Sequence, residues 1–234
     1  MKVAESNRTP NGIYDYFRQR FGPADPRSSG YRAVRTFEFE AAVIRKLLRR
    51  HDGRILDVAC GHGLITAPLA AEGRYIWGLD YNHDAVCSAS QGGLIAIRGD
   101  AFSMPLKEAS FDVVLSTEFL QQYDSDKTNG LIGEMARTIR PGGVLILIWR
   151  HGTSLMRRPI TISLHIVDHL QGRPSFRLFH HSLESVRGWA AGHQLEMINS
   201  LTISPLLRLT LCNAESFKSR ALGTSYIAIF RKVR

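Results

Sequence analysis

The chain has 234 residues, of which 44% are hydrophobic and 22% charged, the balance of a globular protein with one substantial core. Its formal charge of +9 is spread unevenly, at +6 over residues 1–56, −5 over 57–149 and +8 over 150–234. A cationic ligand suits the acidic middle, and an anionic substrate, nucleic acid or membrane surface suits the basic flanks.

No apolar run approaches the roughly 20 residues of a bilayer span, and the first residues lack the apolar stretch of a secretory leader. Cys60, Cys87 and Cys212 lie far apart and suggest neither a disulfide framework nor a clustered zinc site, so a reducing, cytoplasmic setting is expected.

In chain order, residues 10–21 read as a short amphipathic helix, with Ile13, Tyr14, Phe17 and Phe21 at helical spacing. A Gly/Pro/Ser-rich link over 22–30 follows, then a longer helical pattern over 31–50 with Val43, Ile44, Leu47 and Leu48 on the apolar side. Strands are expected at 54–58, 75–80, 93–98, 111–116 and 143–149, with helices at 63–72, 82–90 and 127–139. Such alternation predicts an α/β, Rossmann-like, mostly parallel sheet with helices on both faces. Strands at 194–202 and 224–231 around a helix at 182–191 complete seven strands and close the sheet. The expected organisation is an N-terminal helical cap over 1–51 and one domain over 52–234, with an insertion at 150–181. That insertion breaks the alternation, and it falls where an open α/β sheet builds its ligand crevice. It carries Arg157, Arg158, Arg173 and Arg177, which suit a carboxylate, phosphate or phenolate on a substrate.

The first strand leads from Ile55 and Leu56 into Asp57, then Ala59-Cys60-Gly61-His62-Gly63 and a helical run. A strand, glycine loop and helix let a ligand lie against bare backbone at a helix N-terminus. Asp80 ends the second strand and Asp100 the third. A carboxylate at a strand tip can accept the ribose hydroxyls of a nucleoside. A lone Asp there is ordinarily a helix cap or turn former, the role expected of Asp112; three successive strands ending alike make Asp57, Asp80 and Asp100 functional candidates. A dinucleotide fits poorly, because Gly61-His62-Gly63-Leu64-Ile65-Thr66 lacks the third glycine that the pyrophosphate fingerprint requires.

The ordered set of Asp57-Val58-Ala59-Cys60-Gly61-His62-Gly63, Leu79-Asp80, Gly99-Asp100-Ala101, Phe111-Asp112 and Arg140-Pro141-Gly142-Gly143 resembles the class I S-adenosylmethionine-dependent methyltransferases. The resemblance covers about 52–150 and is strongest to the broad group holding the ubiquinone/menaquinone C-methyltransferases and many small-molecule enzymes. It implies S-adenosylmethionine as cofactor, with Asp57, Ala59, Gly61 and Gly63 at its methionine end. Asp80 then takes the ribose and Tyr81 stacks beside the adenine. Asp100, Ala101 and Phe102 meet the adenine edge, and Thr117 and Glu118 lie near the sulfonium. Ala59 stands where many relatives have glycine, which is tolerable if its φ is negative. His62 is expected to be an exposed loop filler.

Methyl transfer from a sulfonium is an in-line displacement that relies on alignment and electrostatics, so a catalytic dyad is not required. A small organic acceptor, anionic or aromatic, is the reading adopted. Peripheral contact with an anionic membrane also suits the basic flanks. Alternatives are an RNA-directed methyltransferase and a catalytically inactive cofactor-binding regulator. Ser116-Thr117-Glu118-Phe119 is unlike the Asn/Asp-Pro-Pro-aromatic turn of nucleic-acid amino methylases, and no module of known RNA-binding type is apparent. Tyr14, Phe17, Tyr31, Phe37, Phe119, Trp149, Phe176 and Phe179 are candidate pocket walls, at least half of them core residues instead. His151, just past the fifth strand, is the leading candidate base, with Glu118 and Tyr123 behind it. His165 and His169 have i, i+4 spacing, with Asp168 between and His180 and His181 beyond, but no third ligand is evident and no metal is expected.

Overall fold

A computed structural model describes residues 22, 24–26, 34–152, 170, 178–204, 210–215 and 223–233. The expected helix at 10–21, most of the link at 22–30 and nearly all of the 150–181 insertion lie outside them. Tyr14, Phe17, Tyr31, Arg157, Arg158, His165, Asp168, His169, Arg173, Phe176 and Arg177 therefore also lie outside.

Helix α1 (Val34–Leu48) buries Phe37, Ala41, Ile44 and Leu48, one stripe at helical spacing. It packs against one face of a sheet whose parallel strands are β1 (Ile55–Val58), β2 (Ile76–Asp80), β3 (Ile95–Arg98), β4 (Phe111–Thr117) and β5 (Ile139–Arg150). Their connections carry α2 (Ala67–Ala71), α3 (His83–Gln91) and α4 (Ser125–Thr138). After α5 (Leu183–Gly192) come β6 (Leu195–Ser204), β7 (Thr210–Asn213) and β8 (Ser225–Lys232), which pair antiparallel. The strand order is β3-β2-β1-β4-β5-β8-β6-β7. Order reverses between β1 and β4, which opens a crevice beyond the carboxyl ends of those strands.

Side-chain alternation divides the core into two layers. Leu145, Leu147 and Trp149 of β5 face α4 and α5 residues such as Met135 and Val186, while Val144, Ile146 and Ile148 face the layer that holds Ile44 and Leu48 of α1. The seven expected strands are all present. The eighth, β7, is a four-residue edge strand with a single large apolar residue, Leu211, too short for periodicity to reveal.

The helix expected at 63–72 is shorter, because residues 63–66 are taken up by turns such as Ala67 N to Gly63 O and Pro68 suits only a first helical turn. β5 begins four residues early, at Ile139. Gly142 has a φ of 78°, and a Cβ at Gly143 would lie 2.7 Å from Ile139 Cγ2 and 2.9 Å from the Asp112 carbonyl, so the Pro-Gly-Gly bend needs both glycines. Asp112 is structural, though within β4 and not as a helix cap or turn former. Its Oδ2 accepts from the Arg54 amide at 2.7 Å, and its Oδ1 lies 2.6 Å from the Arg140 guanidinium.

Candidate functional site

Asp57 sits on the central strand with only 2% of its surface exposed. Its Oδ2 accepts from Thr66 Oγ1 at 2.7 Å, and its Oδ1 is buried with no hydrogen-bond partner among the described residues. Burial, with the Asp80 charge adding and the Thr66 bond opposing, pushes its carboxyl up to about 7. A buried carboxyl oxygen lacking a donor is costly unless a ligand supplies one.

Beyond Asp57 the loop turns sharply. Ala59 has a φ of 60°, so the condition of a negative φ is not met, and the left-handed region costs a non-glycine residue about 1–2 kcal/mol. The Cys60 amide then bonds Leu79 O, and the Gly61 amide donates to Asp80 Oδ2 at 2.9 Å. The loop lies so close over β2 that a Cβ on Gly78 would come within 2.8 Å of Cys60 Sγ. Burial beside Asp57 and Asp80 holds that thiol well above its ordinary range.

Asp80 is itself 5% exposed, and its Oδ1 accepts from the Asn82 amide at 2.9 Å. Burial raises its pKa against the backbone donors of Asn82, Gly61 and Tyr81. One carboxylate thus ties the glycine loop to the start of α3, where Asn82 caps the Asp84 and Ala85 amides.

Two lobes share the walls Ala59, Phe119 and Gln122. The first is lined also by Phe37, Asp57, Cys60, Gly61, Leu64, Ile65, Thr117 and Glu118. The second is lined by Leu79, Asp80, Tyr81, Asn82, Gly99, Asp100, Ala101, Phe102 and Tyr123. The expected cofactor residues therefore converge, with one correction. Gly63 is not a wall residue; a Cβ there would meet Ala89 and Leu94, so its φ of 72° serves packing behind the loop. Tyr81 is 57% exposed, with the Arg98 guanidinium 6.0 Å over its ring. Asp100 Oδ1 accepts from the Phe102 amide at 2.9 Å, and Phe102 meets Tyr123 edge to face.

Of the three candidate bases, Glu118 and Tyr123 line the lobes and His151 does not. His151 is buried, stacks on Tyr226 at 4.2 Å with its Nε2 2.9 Å from the tyrosine hydroxyl, and lines neither lobe. Tyr123 does line the second lobe, but burial and the charges of Asp100 and Asp80 push its phenol up to about 12, so it keeps its proton at neutral pH. Glu118 faces the first lobe at a φ of 52°, with its carboxylate 2.5 Å from Arg150 Nε and accepting from Gln121 Nε2 at 2.9 Å.

His62 is buried at 5% exposure, not a solvent-facing filler; the positive-φ glycines 61 and 63 flank it. Of the described wall candidates, Phe37 and Phe119 line the first lobe. Trp149 is fully buried, with its Nε1 donating to His181 O at 3.0 Å, and Phe179 donates its amide to Gln121 O.

Sequence reasoning missed Thr66, Arg150, Gln121 and Gln122. Thr66 carries a faint signal as a hydroxyl residue at a helix start. The others depend on contacts between strands and loops that no local pattern encodes. Among the described residues no group of three or more His, Cys, Asp or Glu side chains could hold a metal.

Residues 56–147 match the family model described as a methyltransferase domain. The chain is 33% identical over 108 residues to a ubiquinone biosynthesis O-methyltransferase of Maricaulis maris, covering 43% of this chain and 42% of that protein. It thus spans about two fifths of the length of this curated relative. Among solved structures, a possible histamine N-methyltransferase of Thermotoga maritima superposes with a TM-score of 0.65 at 18% identity, covering 82% of this chain and 87% of that one. The magnesium protoporphyrin IX methyltransferase of Synechocystis, solved with bound S-adenosylhomocysteine, gives 0.62 at 17% identity, covering 98% and 97%. These superpositions show that the fold is that of the class I S-adenosylmethionine-dependent methyltransferases.

Proposed function

We propose that the methyltransferase domain of this chain transfers a methyl group from S-adenosylmethionine to a small organic acceptor. The observation that carries the proposal is Asp57: its buried Oδ1 has no hydrogen-bond partner among the described residues, and the residue lines a lobe whose walls continue past Asp80 to Asp100. Asp57 fits a ligand with a cationic amino-acid end, Asp80 and Asp100 fit a nucleoside, and the group that joins those two chemistries is a nucleoside sulfonium. When bound, S-adenosylmethionine supplies a methyl on a sulfonium sulfur, a leaving group that is already activated.

The chain's own residues work by holding and aligning. Asp57 accepts from the ammonium, and Asp80 takes the ribose hydroxyls while its backbone bonds fix the glycine loop. Tyr81, Asp100, Ala101 and Phe102 border the adenine, with the Tyr123 phenol as a protonated edge. Thr117 and Glu118 border the reacting end, and the Arg150 pair holds the Glu118 carboxylate. Phe37 and Phe119 supply an apolar wall that suits an aromatic or lipid-like acceptor. The ubiquinone-pathway relative supports that class, and the basic flanks support an acceptor bearing an anionic group.

Calorimetric titration with S-adenosylmethionine and with NADH tests the cofactor; binding of NADH alone refutes the proposal. Asp80→Ala is expected to weaken S-adenosylmethionine about 10- to 100-fold, because it removes a charge and two anchoring bonds. Unchanged affinity removes Asp80 from the site. A labelled-methyl assay on small-metabolite extract, membrane lipids and total RNA then reads the acceptor, and label confined to RNA overturns the small-molecule reading.

A further inference from the structure

The loop after β4 carries Phe119, Gln122 and Tyr123, walls of the two lobes, around a 3-10 turn at Leu120–Gln122. Such a turn leaves carbonyls short of partners at its C-terminal end; within it the Tyr123 amide donates to Leu120 O at 3.2 Å. Here the carbonyls of Leu120 and Tyr123 both face the side chains of His181 and Thr128. His181 Nε2 lies 3.0 Å from Tyr123 O and 3.3 Å from Leu120 O, with Thr128 Oγ1 3.2 Å away. Thr128 Oγ1 reaches the same two carbonyls at 3.3 and 3.4 Å. Because carbonyls only accept, Nε2 must carry the proton in this arrangement.

The imidazole is fixed in turn. His181 is 5% exposed, its ring meets Trp189 edge to face at 5.3 Å, and its carbonyl accepts from Trp149 Nε1 at 3.0 Å. Two residues earlier, the Phe179 amide bonds Gln121 O at 2.8 Å, so the short strip 179–181 is laced to both ends of the turn and its middle. Neither β4 nor α4, which flank the loop in sequence, supplies an equivalent side-chain donor other than Thr128.

We propose that His181 is a positioning residue, its Nε2–H clamping the Leu120 and Tyr123 carbonyls so that Phe119, Gln122 and Tyr123 stand at the pocket walls. It touches neither lobe and acts through the loop. This deepens the proposed function and rests on it, since the loop matters only if the two lobes hold the cofactor.

His181→Leu removes the donor and keeps apolar bulk, and His181→Gln restores a donor at similar reach. Two readouts on the full chain test the clamp: amide hydrogen exchange over residues 117–124, and the affinity for S-adenosylhomocysteine by calorimetry. The expected result is faster exchange confined to that loop in His181→Leu and affinity weaker by about tenfold, both recovered in His181→Gln. Thr128→Val, which deletes the secondary donor, should reproduce part of the effect if His181→Leu proves too unstable to purify. Unchanged loop exchange in the Leu variant overturns the proposal. So does faster exchange with unchanged affinity, which would leave His181 as a purely structural residue. If the wild type itself binds no S-adenosylhomocysteine, the cofactor reading fails instead, and loop exchange still decides whether His181 holds the turn.

Discussion

Asp57 near the end of β1 and Ala59 just past it carry different kinds of strain, one electrostatic and one conformational. Asp57 keeps a proton in the folded chain up to about pH 7, whereas an ordinary Asp loses it near the reference value of 3.8. Between those two values the folded state binds the proton that the unfolded state has released, so this residue's contribution to stability falls as pH rises. Asp80, also raised by burial, adds to the same slope. Urea unfolding of the ligand-free protein and of Asp57→Asn from pH 4 to 8 should show the wild type losing stability relative to the variant across that window. A constant difference would mean that Asp57 is ionised throughout. A cationic ligand captures the ionised form, so affinity for S-adenosylmethionine should rise with pH and level off above about 7. At Ala59, glycine relieves about 1–2 kcal/mol of left-handed strain and costs about 0.5–1 kcal/mol in chain entropy. Ala59→Gly is thus expected to stabilise by about 0.5–1 kcal/mol in urea unfolding, and a loss of stability would show that the methyl's contacts outweigh its strain.

At the level of elements, the strand tips place the acids and the bends behind them fix the strands. The Arg140-Pro141-Gly142-Gly143 bend lets β5 start early beside β4, and Asp112 ties the starts of β1 and β5 together. Gly143→Ala forces a Cβ against Ile139 and two carbonyls, with an expected cost of about 2 kcal/mol in chemical denaturation. Gly142→Ala meets no neighbour and pays only for its φ, about 1 kcal/mol. The reverse ranking would show that the bend is set by backbone preference, not by packing. Both glycines lie at the opposite end of β5 from the lobes, so S-adenosylhomocysteine affinity should be unaltered in either variant.

Over the whole molecule, the order reversal between β1 and β4 brings the loops after β1, β2, β3 and β4 around one crevice, although their acids are spread over more than sixty residues of sequence. No helix among the described residues is long and apolar enough to cross a membrane. A ligand that bridges both lobes braces four strands at once, and binding only the folded state stabilises it by about 2.7 kcal/mol at a hundredfold excess over Kd. For a chain of this size that corresponds to a rise in Tm of about 5–10 °C with S-adenosylhomocysteine. Thermal unfolding with and without the ligand checks it, and no shift at that concentration would place the binding elsewhere or nowhere.

The alternation of strands and helices, the strand-end acids Asp57, Asp80 and Asp100, and the Pro-Gly-Gly bend were legible in the sequence because each is local. Hydrophobic period, turn chemistry and residue spacing act within a few positions of the chain. The left-handed φ of Ala59, the burial of His62 and the seat of His151 against Tyr226 were not legible, because conformation and burial there depend on elements far away in the chain. The same reason hid Thr66 on Asp57, Arg150 on Glu118 and His181 on the Leu120–Tyr123 carbonyls: each joins residues that only the packed sheet brings together. Sequence determined the sheet and the acids that line its crevice. Tertiary packing decided which side chains stand free to face a ligand and which are spent holding the loops that do.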